Sequence, residues 1–155
     1  MIDKDSFLKS LLYLLRETFE GSPEGQGSAY LDRGIGIFPT LAKLSAEDVS
    51  RYSGATTIAA HTEHAKFYLD RLCELMNGKT EKVNWEQSWL IETVNETEWN
   101  HLREGMRKSY ENVLHCFAGI ETWNQDNIGE AIAIIAHSAY HLGAIRQIVK
   151  SKSEA

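Results

Sequence analysis

The sequence predicts an all-α fold, a four-helix bundle, on three observations. Four stretches repeat apolar residues every three or four positions, each long enough for a helix of roughly 16–24 residues. The two prolines, Pro23 and Pro39, fall in the first quarter, so nothing after Pro39 forces a helix to break. No run of β-branched residues alternates with polar ones as a half-buried strand would. Four helices with one apolar stripe each bury those stripes against one another, and bundle sites are built from the inward side chains of facing helices.

The first helix is expected from Asp5 or Ser6, either of which can cap it, to Glu20. Phe7, Leu8, Leu11, Leu12, Leu14, Leu15 and Phe19 form its apolar face, and Gly21-Ser22-Pro23 ends it. The connection from Gly21 to Ile37 is rich in glycine but holds neither GxxxxGK[ST] nor GxGxxG, so it is no phosphate cradle. Its Tyr30, Leu31, Ile35 and Ile37 predict that it packs. Loops of this length in compact domains are often functional, which makes Tyr30 and Asp32 candidates for lining a site. A short helix follows over Phe38 to Leu44, with Pro39 in its first turn, and Ser45 caps a further short turn.

The second long helix is expected from about Thr56 to Asn77, where Asn77-Gly78 closes it. In the polar connection Lys79 to Asn95, Trp85 and Trp89 stand four apart, as one helical turn laid on the bundle or as the frame of a pocket mouth. The third helix spans about Thr97 to Phe117, with Glu98 in the first turn where the dipole favours it. Trp99, Leu102, Met106, Tyr110, Val113 and Phe117 are its inner stripe. The fourth spans about Asn127 to Lys150, with Ile128, Ile132, Ile135, Ala139, Leu142 and Ile145 at its apolar positions. Neither a repeat nor a second composition regime interrupts the chain, so it reads as one domain over 1–155.

Composition narrows the function. A net charge of −6 argues against binding along a phosphate backbone, so nucleic acid is not expected as a partner. No uninterrupted apolar run reaches the ~18–20 residues of a membrane span, and the N-terminus lacks a signal-peptide layout. Cys73 and Cys116 are far apart, each inside an expected helix, where they read as small buried apolar residues and not as a disulfide framework. The expected compartment is a reducing cytoplasm.

Six histidines remain. His101 and His115 lie on the third helix without a spaced partner and read as surface or partly buried structural residues. His137 and His141, four apart on the fourth helix, occupy one face on successive turns, so both imidazoles can reach one point in space. His61 and His64, three apart on the second helix, do the same. Two histidine pairs on two helices of one small domain point to a metal site. At ~100° per residue, His61 sits near the centre of the Ile58–Ala65–Leu72 stripe and His64 toward its flank. By helix wheel His61 is the mildly favoured ligand, and His64 stays open. Glu63, between them, is expected on another face, in solvent. Three neutral imidazoles with little carboxylate suit Zn²⁺, Ni²⁺ or Fe²⁺ over Ca²⁺ or Mg²⁺, and they leave coordination positions open, as in catalytic sites.

The residues Thr57-Ile58-Ala59-Ala60-His61-Thr62-Glu63-His64, and His137-x-x-x-His141-x-Gly143 continuing Ala144-Ile145-Arg146-Gln147-Ile148, resemble the DinB/YfiT-like superfamily. Helix lengths and order are similar over nearly the whole chain. The resemblance implies a bundle in up-down-down-up order with a divalent metal, often Zn or Ni, on three histidines. The family's first ligand sits six residues after the isoleucine, which is His64 here. The other two map to His137 and His141, leaving His61 as a supporting residue or substitute. Many relatives carry a further histidine beside the final ligand, where this chain has Tyr140 and Leu142. Some relatives are similar to transferases or isomerases that use low-molecular-weight bacterial thiols, and others to hydrolases.

The expected function is a metal-dependent transferase or hydrolase acting on a small molecule, with Tyr30, Trp85, Trp89, Tyr140 and Arg146 available to shape its pocket. The alternative is a non-catalytic metal- or ligand-binding bundle. A homodimer is expected in either case, because aromatic-rich bundle faces pair.

Overall fold

A computed structural model describes residues 3–153. Met1, Ile2, Glu154 and Ala155 of the expected domain lie outside the described residues. The described residues form six α-helices and no strand: α1 (Lys4–Glu20), α2 (Ile37–Leu41), α3 (Ala46–Ser50), α4 (Ile58–Met76), α5 (Glu96–Gly119) and α6 (Gln125–Ser153). A 3-10 turn, Trp85–Trp89, interrupts the connection between α4 and α5.

The helix starts follow capping chemistry. Asp3, not Asp5 or Ser6, caps α1 by accepting the Ser6 N–H at 2.9 Å. Ser45 and Asp48 close a reciprocal capping box on α3, as Asn95 and Glu98 do on α5. Glu98 thus satisfies an orphan N–H as well as the dipole. Thr57 caps α4: its hydroxyl accepts the Ala60 N–H at 3.0 Å and donates to the Glu92 carbonyl at 2.6 Å. One side chain therefore ties the start of α4 to the segment that follows the 3-10 turn.

Contacts between helices set their directions. Lys66 lies over Gly105, Cys73 against Asn112, and Asn77 against Cys116, a constant offset that makes α4 and α5 parallel. His61 meets His141 and His64 meets His137, so α4 and α6 are antiparallel. Phe7 packs edge-on to Trp123 just before α6, and Phe19 stacks on Tyr110 of α5 at 4.7 Å. The core formed between them is continuous and includes Leu15, Phe19, Ile58, Leu69, Trp99, Val113, Phe117, Ile134 and Leu142. Each such side chain contributes about 1.5–3 kcal/mol by leaving water. Trp99 keeps its polar edge satisfied there, donating from Nε1 to the Leu44 carbonyl at 2.9 Å.

The long connection after α1 is held by a buried carboxylate. Glu17 accepts the N–H groups of Ala29, Tyr30 and Leu31 at 2.7, 3.1 and 2.8 Å. The two ends of the connection touch: a methyl group on Gly36 would lie 2.6 Å from the Gly21 nitrogen.

Two features of the fold go beyond the sequence reading. Cys73 and Cys116, distant in the chain, are neighbours across the α4–α5 interface. The segment Gln125–Ser151 of α6, with a mean hydropathy of 1.2, is long and apolar enough to cross a membrane by length and composition. A rule demanding an unbroken apolar run passes over it because polar residues are scattered along it. In this fold it packs against α1 and α4.

Candidate functional site

The histidines meet where the first three turns of α4 face the middle of α6. Among the described residues, His64, His137 and His141 are the one group of three metal-capable side chains, each offering a nitrogen within 4.8 Å of the others. The His64 Nε2 is 3.1 Å from the His137 Nε2, which is 3.2 Å from the His141 Nε2. Ligand nitrogens about 2.0–2.1 Å from one ion, at angles between right and tetrahedral, stand about 2.9–3.4 Å apart. The two observed separations fall inside that range.

Hydrogen bonds orient two of the rings. The Ser88 hydroxyl donates to the Trp85 carbonyl at 2.6 Å. It therefore accepts at 2.7 Å from the His64 Nδ1–H, which leaves the lone pair of the His64 Nε2 facing the cluster. On the other side, the His141 Nδ1 shares a proton with the His61 Nδ1 at 2.9 Å. With His141 as donor its Nε2 also presents a lone pair. His137 differs, since its buried Nδ1 has no partner. Its ring is fixed by stacking on Tyr68, with centroids 3.7 Å apart. His64 is likewise covered by Trp89, stacked at 4.1 Å.

Burial holds these rings neutral. It lowers His61, and it lowers His64 with help from the nearby His61. Burial, with His64 beside it, pushes His137 down to about 4. Burial and the neighbouring imidazoles push His141 down to about 3. Four neutral imidazoles at pH 7, one with its acceptor edge turned inward and one with an orphaned second nitrogen, fit a borderline divalent cation. They do not fit Ca²⁺ or Mg²⁺, which want oxygen.

The same shifts predict a pH dependence for the metal-free protein. The unfolded histidines take up protons near their usual 6.5, whereas the folded ones resist until about 4 or below. Stability is complete above about pH 6.5 and falls as pH drops toward 4. Thermal unfolding in chelator checks this, and a Tm that stays flat between pH 7 and 5 overturns it.

The remaining candidates divide. Tyr140 is 69% exposed but sets its ring edge-on to His141 at 5.1 Å, at the rim of the cluster. Trp85 packs against Tyr68, and Trp89 against His64. Tyr30 instead bonds the Thr18 hydroxyl, and Arg146 of α6 stands 4.0 Å from Asp32, so Tyr30 and Asp32 belong to the anchored loop and Arg146 faces that loop and not the histidines. His101 and His115 are exposed on α5. Glu63 is not free in solvent: it is half-buried, and desolvation raises its carboxyl.

Sequence reasoning missed Ser88, Tyr68 and the cavity beside His61. Tyr68 was legible as the residue one turn past His64. Ser88 carries no local signal, because its role arises from where the 3-10 turn docks. The cavity, about 340 Å³, is lined by Tyr52, Thr56, His61, Trp89 and Glu92 among others. A larger groove of about 830 Å³ along α1, past Leu8, Leu12, Tyr13 and Gln26, holds no histidine. Comparison of the chain with protein-family models, with curated proteins and with solved structures gives no match.

Proposed function

We propose that this chain is a DinB-like metalloprotein that acts on a small molecule as a thiol-dependent transferase or a hydrolase. In this reading α1, α4, α5 and α6 are a four-helix bundle in up-down-down-up order, and α2 and α3 are an insertion between the first two. The parallel α4–α5 pair and the antiparallel α4–α6 pair support that order. His64, His137 and His141 would hold the ion, Zn or Ni by donor chemistry. The observation that carries the reading is the convergence of three ring nitrogens at coordination spacing.

A divalent ion supplies Lewis acidity and open positions for a nucleophile or a substrate oxygen. The chain's own residues supply the rest. Ser88 and His61 set the tautomers of His64 and His141, while Tyr68 and Trp89 cover two ring faces and keep water from them. The cavity beyond His61 offers space for a small molecule, with the Glu92 carboxylate at its edge. The reading places the protein in the cytoplasm. It also makes it a homodimer, since α6 leaves Ile132 and Tyr140 uncovered, and light scattering reads this directly.

The test is turnover. Protein loaded with Zn²⁺ or Ni²⁺ is offered a low-molecular-weight thiol with an electrophile, and separately simple esters and amides. Sustained turnover that chelator removes and metal restores is expected. One observation favours the non-catalytic alternative: among the described residues no carboxylate joins the three nitrogens to serve as base. Tight metal binding without turnover on any of these substrates would select it.

A further inference from the structure

Away from the histidines, the last turns of α4 and α5 bring two thiols to one amide. The Asn77 Nδ2 donates to the Cys73 Sγ at 3.7 Å, and the Cys116 Sγ donates to the Asn77 Oδ1 at 3.8 Å. Cys73 also reaches the Asn112 carbonyl, one turn before Cys116, at 3.8 Å. The two thiols are neighbours, one at each end of the Asn77 amide. This proximity follows from the parallel register of α4 and α5, which repeats the same offset of 39 residues at both sulfur contacts. The pair borders a surface hollow of about 560 Å³ with Asp70, Arg71, Glu74 and His115, so a small reagent can approach it.

We propose that Cys73 and Cys116 are a redox-responsive pair, closed into a disulfide between α4 and α5 by a hydroperoxide. Cys116 deprotonates first: the Cys73 thiol beside it lowers it, while Cys116 and then burial raise Cys73. The Cys116 thiolate attacks the peroxide, the O–O bond breaks, and with one proton taken up a sulfenic acid and water result. The Cys73 sulfur then attacks that sulfur, the S–O bond breaks, and the departing hydroxide takes the Cys73 proton as a second water. Two thiols and one hydrogen peroxide become one disulfide and two waters, with two electrons passing from sulfur to peroxide. The covalent loop so closed contains the Trp85–Trp89 turn, and with it the Ser88 that orients His64. The switch is therefore tied to the segment that supports the histidine cluster.

The experiment treats metal-free full-length protein with hydrogen peroxide and reads intact mass, free thiols and non-reducing peptide maps. The expected result is a monomer lighter by about 2 Da with no free thiol, a Cys73–Cys116 linked peptide, and full reversal by dithiothreitol. Cys73→Ser is expected to accumulate a trappable sulfenic acid on Cys116 and to show no loss of mass. Three results would each overturn the proposal: wild-type protein that gains oxygen without linking, that links only between molecules, or that keeps both thiols where free glutathione is oxidised.

Discussion

Replacing His137 with alanine abolishes stoichiometric binding of Zn²⁺ and Ni²⁺ while the helical circular dichroism of the protein is retained. His137 is the shared member of the cluster, since its Nε2 faces both the His64 and the His141 Nε2. Its loss leaves only the His64 and His141 nitrogens of the three. A ligand that binds the folded state at a hundredfold over its Kd stabilises it by about 2.7 kcal/mol. For a chain of this size each kcal/mol moves Tm by about 2–4 °C, so Zn²⁺ raises the wild-type Tm by about 5–10 °C. The same addition moves His137→Ala by less than about 1 °C. His61→Ala sits between them, because it removes the partner of the His141 Nδ1 but no convergent nitrogen. Its affinity falls by about 10–100-fold. His101→Ala, on the exposed face of α5, matches wild type. Titration calorimetry and elemental analysis of untagged protein measure all four. Stoichiometric binding retained by His137→Ala would sink the site.

The difference between His61 and His64 marks how far the sequence reads. The helix wheel locates the centre of the apolar stripe, and His61, 9% exposed, is indeed the more buried of the two. Burial at the stripe centre is a different property from convergence with the other ring nitrogens, since both histidines touch α6. The convergence lies on the flank of α4, where α6 and the 3-10 turn both reach it, so His64 meets His137 while His61 stands behind His141. Helix type and approximate extent were legible because they depend on local periodicity; of the caps the sequence names, Ser45 holds at α3, while Asp3 takes the place of Asp5 or Ser6 at α1. Partnerships that depend on register between helices were not. Cys73 with Cys116 and His64 with Ser88 each need the docking of a second element, and no local pattern encodes it. Glu17 was illegible for a related reason. A glutamate in an amphipathic helix is normally solvated, and this one is 1% exposed because the following loop wraps back over it.

Replacing Glu17 with alanine is the largest stability loss expected from a single polar side chain here. Its carboxylate receives three backbone N–H groups, and hydrogen bonds to a charged group contribute about 1.5–3 kcal/mol each. The loop can recover part of this by returning to water, so the net cost is about 3–4 kcal/mol and the Tm falls by about 6–16 °C. The pH profile separates this role from simple packing. Burial alone would raise the Glu17 carboxyl, but the N–H groups of Leu31, Ala29 and Tyr30 together outweigh it and hold it below its usual 4.5. A carboxyl lowered in the folded state lends stability that is complete above about pH 4.5 and lost as pH falls through the lower folded value. In Glu17→Ala that acid-side loss shrinks, because no proton is taken up at this position on unfolding. Glu17→Gln keeps the shape and one acceptor oxygen but loses the charge, so it falls between wild type and alanine and shows the same shrunken acid limb. A glutamine variant as stable as wild type, with an unchanged acid limb, would mean that shape and not charge holds the loop to α1.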